Sequence, residues 1–416
     1  MKRILLSFFA LLLIGSSAKG AEGFTIKNVS LPINGEAEVQ VAYTFENRKC
    51  RGLEFDIYLA DKLVFAEKSS KITYAQGFYN SEGSFSVKKM EDGSMKVLWA
   101  GTNNIPIHRK EGIIIAFKVK VKTGETVNKN DVYECSLKNG IIGGNSLDDF
   151  TFNVTITDSN PTNYVLVDEN SLFAPTTGNN KSAHVIRTLK GSSDKDIWNT
   201  ICLPFAMDID QLKEAFGDDV QVAEFSEWSY DDQEENIIVN FNSVEEIKSG
   251  YPYIVKVSKG IQQFDIDGVK ISTKINEQDL EDSEEMGYHG FMTGNLKYTT
   301  MNENDMFLQD NEFYYSIQGQ TIKGLRAIFN FYDGENPEES NPILISKNSA
   351  SRGMFLVDGK PIGGIDDGTT AIMSNRYISE TGKVYSVTGR YIGENVNMKS
   401  LPKGVYIVDG VKIVNE

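Results

Sequence analysis

Two segments, residues 37–45 (AEVQVAYTF) and 115–122 (IAFKVKVK), decide the fold of the first part of this chain. In both segments apolar and polar side chains alternate with a period of two, which is typical of a β-strand with one face on a core and the other in water. The same alternation recurs at 53–59 and 150–156. Repeated strands without a long helical pattern predict two sheets packed face to face, a β-sandwich.

Turn and cap residues indicate how the pattern continues. Asp92-Gly93 lies between two alternating runs, as a β-hairpin requires. One short helix is expected to begin at Asp208 or Asp210 and to end at Phe216, with Gly217 as its C-terminal cap. The fold is therefore predicted to be mainly all-β. It should comprise an N-terminal β-sandwich, a second β-rich domain with one short helix, and a small C-terminal β-domain.

The first 21 residues have the three parts of a secretory signal peptide. Lys2 and Arg3 are positively charged, residues 4–14 are apolar, and small residues lead to a cleavage site. The apolar run is shorter than the about 20 residues that a membrane helix needs, and no later stretch is long enough to be a transmembrane segment. The protein is expected to be exported and to be secreted or held at the cell surface, with the periplasm as the alternative.

The composition excludes several classes of function. Of 416 residues, 40% are hydrophobic and 24% are charged, which is ordinary for a globular protein. The formal net charge of −16 argues against nucleic-acid binding, because there is no excess of cations to neutralise phosphates. The three histidines, His108, His184 and His289, are far apart in sequence, which disfavours metalloenzymes and catalytic triads. We expect neither a metal nor a cofactor.

The three cysteines are Cys50, Cys135 and Cys202, so an exported protein that forms a disulfide would leave one cysteine over. Cys50 and Cys135 fall in the same predicted domain and are the candidate pair, although the sequence leaves their distance open. Cys202 lies in an apolar strand and is interpreted as a small buried hydrophobic residue.

The order of segments in the first domain carries a resemblance to a known family. A strand at 26–31 leads to the segment 35–39 (GEAEV), and strands at 52–57, 112–119 and 152–156 follow. This order resembles the cohesin-like and carbohydrate-binding-module-like sandwiches of exported bacterial proteins. The resemblance implies a partner-binding role, because cohesins bind dockerins on a sheet face. No residue set in the sequence identifies such a face, and no stretch has the paired calcium loops of a dockerin.

Four short segments mark the second domain: 198–205 (WNTICLPF), 250–254 (GYPYI), 313–315 (FYY) and 324–327 (GLRA). Together they resemble a family of uncharacterised modules in secreted proteins of gut and oral Bacteroidetes. The resemblance implies that the protein comes from a member of the Bacteroidetes and that it is located outside the cytoplasm. It implies no activity.

The C-terminal part begins with a linker-like segment and carries the runs 384–390 (VYSVTGR) and 401–406 (LPKGVY). These runs resemble the C-terminal sorting domains of the type IX secretion system. Such tails usually end in a basic residue, whereas this chain ends in Asn415-Glu416, so a plain terminal β-domain is the alternative. The predicted organisation is a signal peptide at 1–21, a cohesin-like sandwich at 22–158, a β-rich module at 159–362, and a linker with the C-terminal domain at 363–416.

Aromatic residues are the candidate ligand-binding groups, because sugars bind by stacking on exposed aromatic faces beside polar groups. Trp228 and Tyr230 are predicted to lie near a hairpin tip, with local packing as the alternative role. Tyr74 and Tyr79 are predicted to lie in a loop of the first domain. Trp99 alternates with apolar neighbours on a strand and is expected in the core.

The sequence contains no nucleophile elbow, phosphate-binding loop or zinc-binding helix motif. Its densest acidic run, 277–285, is interpreted as a solvated loop. The chain is therefore interpreted as a non-catalytic exported binding or scaffold protein with a glycan or an extracellular protein as its partner. The alternatives are a carbohydrate-active enzyme with no recognisable motif, which would need two carboxylates flanking a sugar, and a structural spacer of a surface assembly.

Overall fold

The computed structural model shows a mainly β chain with a short α-helix, which confirms the expected fold class. The chain divides into two compact units, Met1–Thr162 with Gly319–Thr321, and Asn163–Gln318 with Ile322–Glu416. The predicted signal peptide at 1–21 lies outside the described residues, and the domain boundaries remain predictions. The structure describes residues 23–44, 52–66, 73–74, 83–101, 111–193, 196–231, 236–281, 287–302, 305–309, 311–316, 320–334, 342–343, 353–362, 383–386, 391–394, 404–408 and 411–415.

The strands of the first unit form two sheets. Sheet I has the order β1-β3-β9-β5 with β6 beside β9, and sheet II has the order β2-β12-β10-β4-β8-β7 with β11 beside β10. In chain order the strands are β1 (Gly23–Ile26), β2 (Val29–Pro32), β3 (Ala37–Thr44), β4 (Gly52–Tyr58), β5 (Leu63–Phe65), β6 (Thr73–Tyr74), β7 (Gly83–Lys89), β8 (Met95–Gly101), β9 (Glu111–Val121), β10 (Val132–Ile142), β11 (Asn145–Ser146) and β12 (Phe150–Thr157).

The alternating apolar side chains of both sheets meet in one core. Phe24 of sheet I contacts Phe55 of sheet II with ring centroids 4.7 Å apart. The predicted N-terminal β-sandwich is therefore confirmed. The predicted hairpin at Asp92-Gly93 joins β7 to β8, and Gly93 has a φ of 85°, a conformation that glycine adopts without steric cost. Trp99 is buried in this core, as predicted.

The second unit contains one helix, α1, and three larger sheets. Its elements are β13 (Tyr164–Asp168), β14 (Gly178–Leu189), β15 (Trp198–Cys202), α1 (Ile209–Phe216), β16 (Gln221–Asp231), β17 (Asn236–Val244), β18 (Pro252–Lys256), β19 (Ile261–Ile271), β20 (Glu277–Glu281), β21 (His289–Asn295), β22 (Thr299–Thr300), β23 (Met306–Gln309), β24 (Glu312–Tyr315), β25 (Thr321–Ile322), β26 (Arg326–Tyr332), β27 (Gly353–Val357) and β28 (Lys360–Pro361). No helix in the described part of the chain has the length and apolar character of a membrane span.

The three larger sheets of this unit enclose two cores. Sheet III has the order β13-β14-β19, sheet IV the order β15-β18-β16-β17-β27-β28, and sheet V the order β20-β21-β26-β23-β24, with β22 pairing β25 separately. Sheets IV and V pack through aromatic rings, since Phe355 and Phe313 have centroids 4.1 Å apart. Phe216 of α1 packs edge-on against Phe264 of sheet III, with ring centroids 5.0 Å apart.

The helix begins and ends where its residues predict. Asp208 is the N-cap: its carboxylate accepts from the backbone N–H of Gln211 at 2.9 Å, and the Gln211 side chain accepts from the Asp208 N–H at 3.1 Å. This reciprocal pair satisfies two donors that a helix start otherwise leaves open. Gly217 is the C-terminal cap, with a φ of 105°.

The C-terminal residues form a separate sheet with the order β30-β29-β31-β32. Its strands are β29 (Lys383–Ser386), β30 (Tyr391–Glu394), β31 (Gly404–Val408) and β32 (Val411–Asn415). The backbone order agrees with a terminal β-domain. Whether this sheet is a sorting signal stays a prediction.

The second unit contains a buried ion pair. Arg187 on β14 has no exposed side-chain surface, and its Nη1 lies 3.3 Å from the carboxylate of Glu169, whose side chain is 1% exposed. Glu169 also accepts from Lys323 and Arg326 at 2.9 Å each. Burial alone would raise the pKa of Glu169, but Arg326, Lys323 and Arg187 outweigh it and lower that pKa. The carboxylate therefore stays charged inside the fold.

Two expectations from the sequence need correction. The sequence predicts a linker with one short strand, 164–167, in residues 158–180. The strand is present as β13, but the segment also carries the buried Glu169 and the start of β14, so it belongs to the packed unit. The acidic run 277–285 was expected to be a solvated loop, but Glu277–Glu281 is strand β20, paired antiparallel with β21. The acidic side chains at 277 and 279 are tolerated because they face solvent at the edge of sheet V, where charges are common.

Replacing Glu169 by Gln should lower the free energy of unfolding by about 3–5 kcal/mol, because Arg187 would stay buried without its carboxylate. The measurement is denaturant unfolding across pH. The pKa of Glu169 is lower in the folded protein than in the unfolded chain. Its charge therefore contributes fully to the free energy of unfolding above the ordinary carboxyl pKa, and this contribution is lost as the pH falls through the pKa of the folded protein. The gap between wild type and variant should therefore shrink in acid. The exposed Glu214→Gln is the control, and a loss at neutral pH no larger than in that control would contradict the prediction.

Candidate functional site

The outward face of sheet II carries apolar side chains that the core does not use. Tyr58, Leu98 and Ile141 lie on three adjacent strands and do not belong to the apolar core, and Leu98 is 37% exposed. Tyr58 and Leu98 point outward because their strand neighbours Ile57, Val97 and Trp99 point into the core. Ile141 points outward because β10 contains a register shift after Lys138, with Asn139 at a φ of 54°. A β-bulge of this kind exchanges the two faces of the strand beyond it.

A fixed polar centre lies beside these side chains. Lys96 forms an ion pair with Glu54 and lies directly across from Asp56, whose Oδ1 is 3.4 Å from the ammonium. The side-chain amide of Asn139 donates to the other oxygen of Asp56 at 2.7 Å. The hydrogen bond to Glu54 raises the pKa of Lys96, with the nearby Asp56 charge adding to the effect. The ammonium is therefore held in place and stays charged.

Lys138 completes this surface, with its ammonium 5.3 Å from the ring centroid of Tyr58. A cation at this distance from an aromatic face is attracted to the ring. We call this surface face II and define it by Glu54, Tyr58, Lys96, Leu98, Lys138 and Ile141. Face II therefore combines apolar side chains with charged groups that are held in place, and these are groups through which a protein partner can be bound and oriented.

The predicted sugar-stacking residues of the second domain are packed inside it. Trp228 is 1% exposed, its ring lies 4.6 Å from that of Phe331, and its Nε1 donates to the Leu280 carbonyl at 2.9 Å. Tyr230 is half-buried, packs against the same core, and has its ring 6.5 Å from that of Tyr288. Stacking of a sugar on Trp228 is therefore wrong, and the packing alternative is correct. A register shift between Phe225 and Glu227 turns Trp228 and Tyr230 toward the core and leaves Glu227 exposed.

The other aromatic candidates are less fully described. Tyr74 lies on β6, where its backbone pairs with Ile115 of sheet I. Tyr79 lies outside the described residues. A ligand-binding role for these two tyrosines stays a prediction.

The described histidines pair with carboxylates on neighbouring strands. His184 Nδ1 lies 2.7 Å from Asp265, and His289 Nδ1 lies 2.8 Å from Asp279. His108 lies outside the described residues. Among the residues that the structure describes, no group of three or more His, Cys, Asp and Glu side chains is arranged to hold a metal ion.

Burial keeps the two described cysteines unreactive. Cys202 is fully buried, as predicted, and burial raises the pKa of its thiol to about 12. Cys135 is also buried, and burial raises the pKa of its thiol. Cys50 lies outside the described residues, so its pairing with Cys135 stays a prediction.

Comparison with known proteins gives partial structural likenesses. No family model matches the chain, and no curated protein matches it. A cohesin module of a family 33 glycoside hydrolase from Clostridium perfringens is 18% identical, with 33% of this chain and 98% of that chain covered and a TM-score of 0.26. The type I cohesin–dockerin complex from Clostridium thermocellum contains a chain that is 16% identical, with coverages of 33% and 99% and a TM-score of 0.27.

A type I cohesin from Pseudobacteroides cellulosolvens is 15% identical, with 34% of this chain and 95% of that chain covered and a TM-score of 0.27. Likenesses at this level carry no inference about what this chain binds. Its function therefore rests on its own residues.

The burial of Trp228 generates a stability prediction. Trp228→Ala should lower the free energy of unfolding by about 3–5 kcal/mol, because it empties a large buried volume. The hydrogen bond to the Leu280 carbonyl would also be lost. Urea unfolding measures the change, with the neighbouring exposed Glu227→Ala as the matched control. A loss below about 1 kcal/mol would show that Trp228 is not a core residue.

Proposed function

We propose that this protein is a non-catalytic, exported binding protein that holds a protein partner on face II. The observation that carries the proposal is the display of Tyr58, Leu98 and Ile141 on one sheet face, outside the core. Exposed apolar and aromatic side chains are the groups that protein interfaces bury, and charged groups beside them orient the partner. Regular strands hold these side chains at fixed spacing, so little conformational entropy would be lost on binding.

The charges of face II favour an acidic partner. Lys88 on the edge strand lies directly across from Lys96, although the chain as a whole carries a net charge of −16. Glu54 and Asp56 already offset the charge of Lys96, so Lys88 and Lys138 are the cations of this surface that a partner's carboxylates would pair with. Such pairs would orient the complex. Because the sequence of the first domain resembles cohesins, calcium-loaded dockerins are the first partner class to test.

Export is part of the same proposal. The charged, apolar and small-residue parts of residues 1–21 support secretion, with the periplasm as the alternative location. The C-terminal runs support delivery to the surface of a Bacteroidetes cell through the type IX secretion system. Neither region bears on whether face II binds a partner.

Site-specific crosslinking tests the proposal directly. A photoreactive amino acid at position 98, on face II, should capture a dockerin or an exported protein of the producing cells. The same probe at position 120, on the outward side of sheet I, is the control. Capture from both positions alike, or from position 120 only, would contradict a site on face II.

A matched pair of substitutions tests the energetics. Leu98→Asp should weaken binding of the captured partner by about tenfold or more, because a charge would be buried in the apolar centre of the contact. Met90→Asp is the control, since Met90 is 36% exposed and Leu98 is 37% exposed, but Met90 lies in the turn that follows β7. Binding is measured by surface plasmon resonance. Equal affinities of the two variants would count against face II.

A further inference from the structure

The outward side of sheet V carries one row of side chains that crosses all of its strands. Glu277 pairs with Thr293, and Phe307 pairs with Tyr314. Thr293 also pairs with Ile328, and the pairing of Met306 with Phe329 places Phe307 beside Ile328. We call this set the sheet V row and define it by Glu277, Thr293, Ile328, Phe307 and Tyr314.

The aromatic end of the sheet V row faces water. Phe313 and Tyr315 point into the core, so Tyr314 between them points outward and is 39% exposed. Its ring is stacked on that of Phe307, with centroids 5.7 Å apart and an interplanar angle of 25°. Neither ring belongs to the aromatic core between sheets IV and V. Cross-strand stacking therefore fixes two aromatic rings on the open side of the sheet.

The other end of the row is rich in hydrogen-bonding groups. The Thr293 hydroxyl donates to the Glu277 carboxylate at 2.5 Å. Two residues further along β20, the Asp279 carboxylate lies 2.8 Å from Nδ1 of His289, which is on the neighbouring strand β21. Each carboxylate keeps acceptor positions beyond the one that these contacts use, because an ionised carboxyl has about four. Sugar hydroxyls are donors of the matching kind.

We propose that the sheet V row binds a neutral glycan chain lying across the strands. Strands are about 4.8 Å apart, so the row extends over about 19 Å, which accommodates several sugar rings. The sugar faces would stack on Tyr314 and Phe307, and the hydroxyls would reach the Glu277 end. Glu277 and Asp279 repel carboxylated or sulfated chains, so the ligand is uncharged. This site is separate from face II and does not depend on the partner proposed there.

Affinity electrophoresis of the full chain tests the proposal. The probes are three soluble neutral polysaccharides, a β-glucan, a mannan and an arabinoxylan, with polygalacturonate as the anionic comparator. We expect retardation by at least one neutral probe and none by polygalacturonate. Tyr314→Ala should weaken that binding by roughly three- to tenfold, as the loss of one aromatic contact does, while Tyr314→Phe should retain it.

Matched variants keep the test decisive. Leu166→Ala on β13 is the control for removing an exposed apolar side chain, since Leu166 is 49% exposed, and it should bind as wild type. Glu277→Ala, at the opposite end of the row, should weaken binding independently of any change in the aromatic pair. Leu98→Asp on face II should leave polysaccharide binding intact. Failure of all three neutral probes, equal binding by Tyr314→Ala and wild type, or stronger retardation by polygalacturonate would each overturn the proposal.

Discussion

The ion pair between Arg187 and Glu169 is the constraint on which the second unit depends. Arg187 also donates from Nε to the Leu325 carbonyl at 3.1 Å and from Nη2 to the Thr200 carbonyl at 2.6 Å. One buried guanidinium thus contacts β15, the segment before β26 and the turn after β13. Leaving any of its donors unpaired would cost about 1–3 kcal/mol or more, so the segments around it must assemble in one arrangement. We infer that this pair specifies the packing of the unit rather than adding greatly to its stability.

Two of the four marked segments of the second domain, 198–205 and 324–327, contact the Arg187–Glu169 pair. Thr200 supplies a carbonyl to Arg187, and Arg326 supplies a guanidinium to Glu169. Gly250 has a φ of 74°, and a Cβ atom there would lie 2.0 Å from the Lys274 carbonyl oxygen, so only glycine fits. These residues maintain a fold. Residues that maintain a fold say nothing about a ligand, so the open sheet faces are the places to look for function.

Period-two alternation was enough to predict the sandwich, because strands such as Ala37–Thr44 bury every second side chain. The helix was predictable because Asp208 or Asp210 can cap its start and Gly217 can cap its end. The role of Glu169 could not be predicted. Its partner Arg326 lies 157 positions further along the chain, and only the folded structure brings the two side chains together. The exposed Leu98 could have been found from the alternation of its own strand. No local signal distinguished Trp228, in the core, from Tyr314, on the surface.

Two register shifts explain why the candidate sites were the hardest part to predict. The shift after Lys138 turns Ile141 out onto face II, whereas the shift after Phe225 turns Trp228 into the core. Each shift moves the alternation by one residue, so that the side chains beyond it exchange their buried and solvent-facing positions. Neither shift could be recognised from the amino-acid sequence alone. In an all-β chain the alternation therefore determines which segments are strands, but the bulges determine which residues are available to a partner. The residues of a binding surface on such a fold therefore depend on the positions of the β-bulges as much as on the alternation of apolar and polar residues.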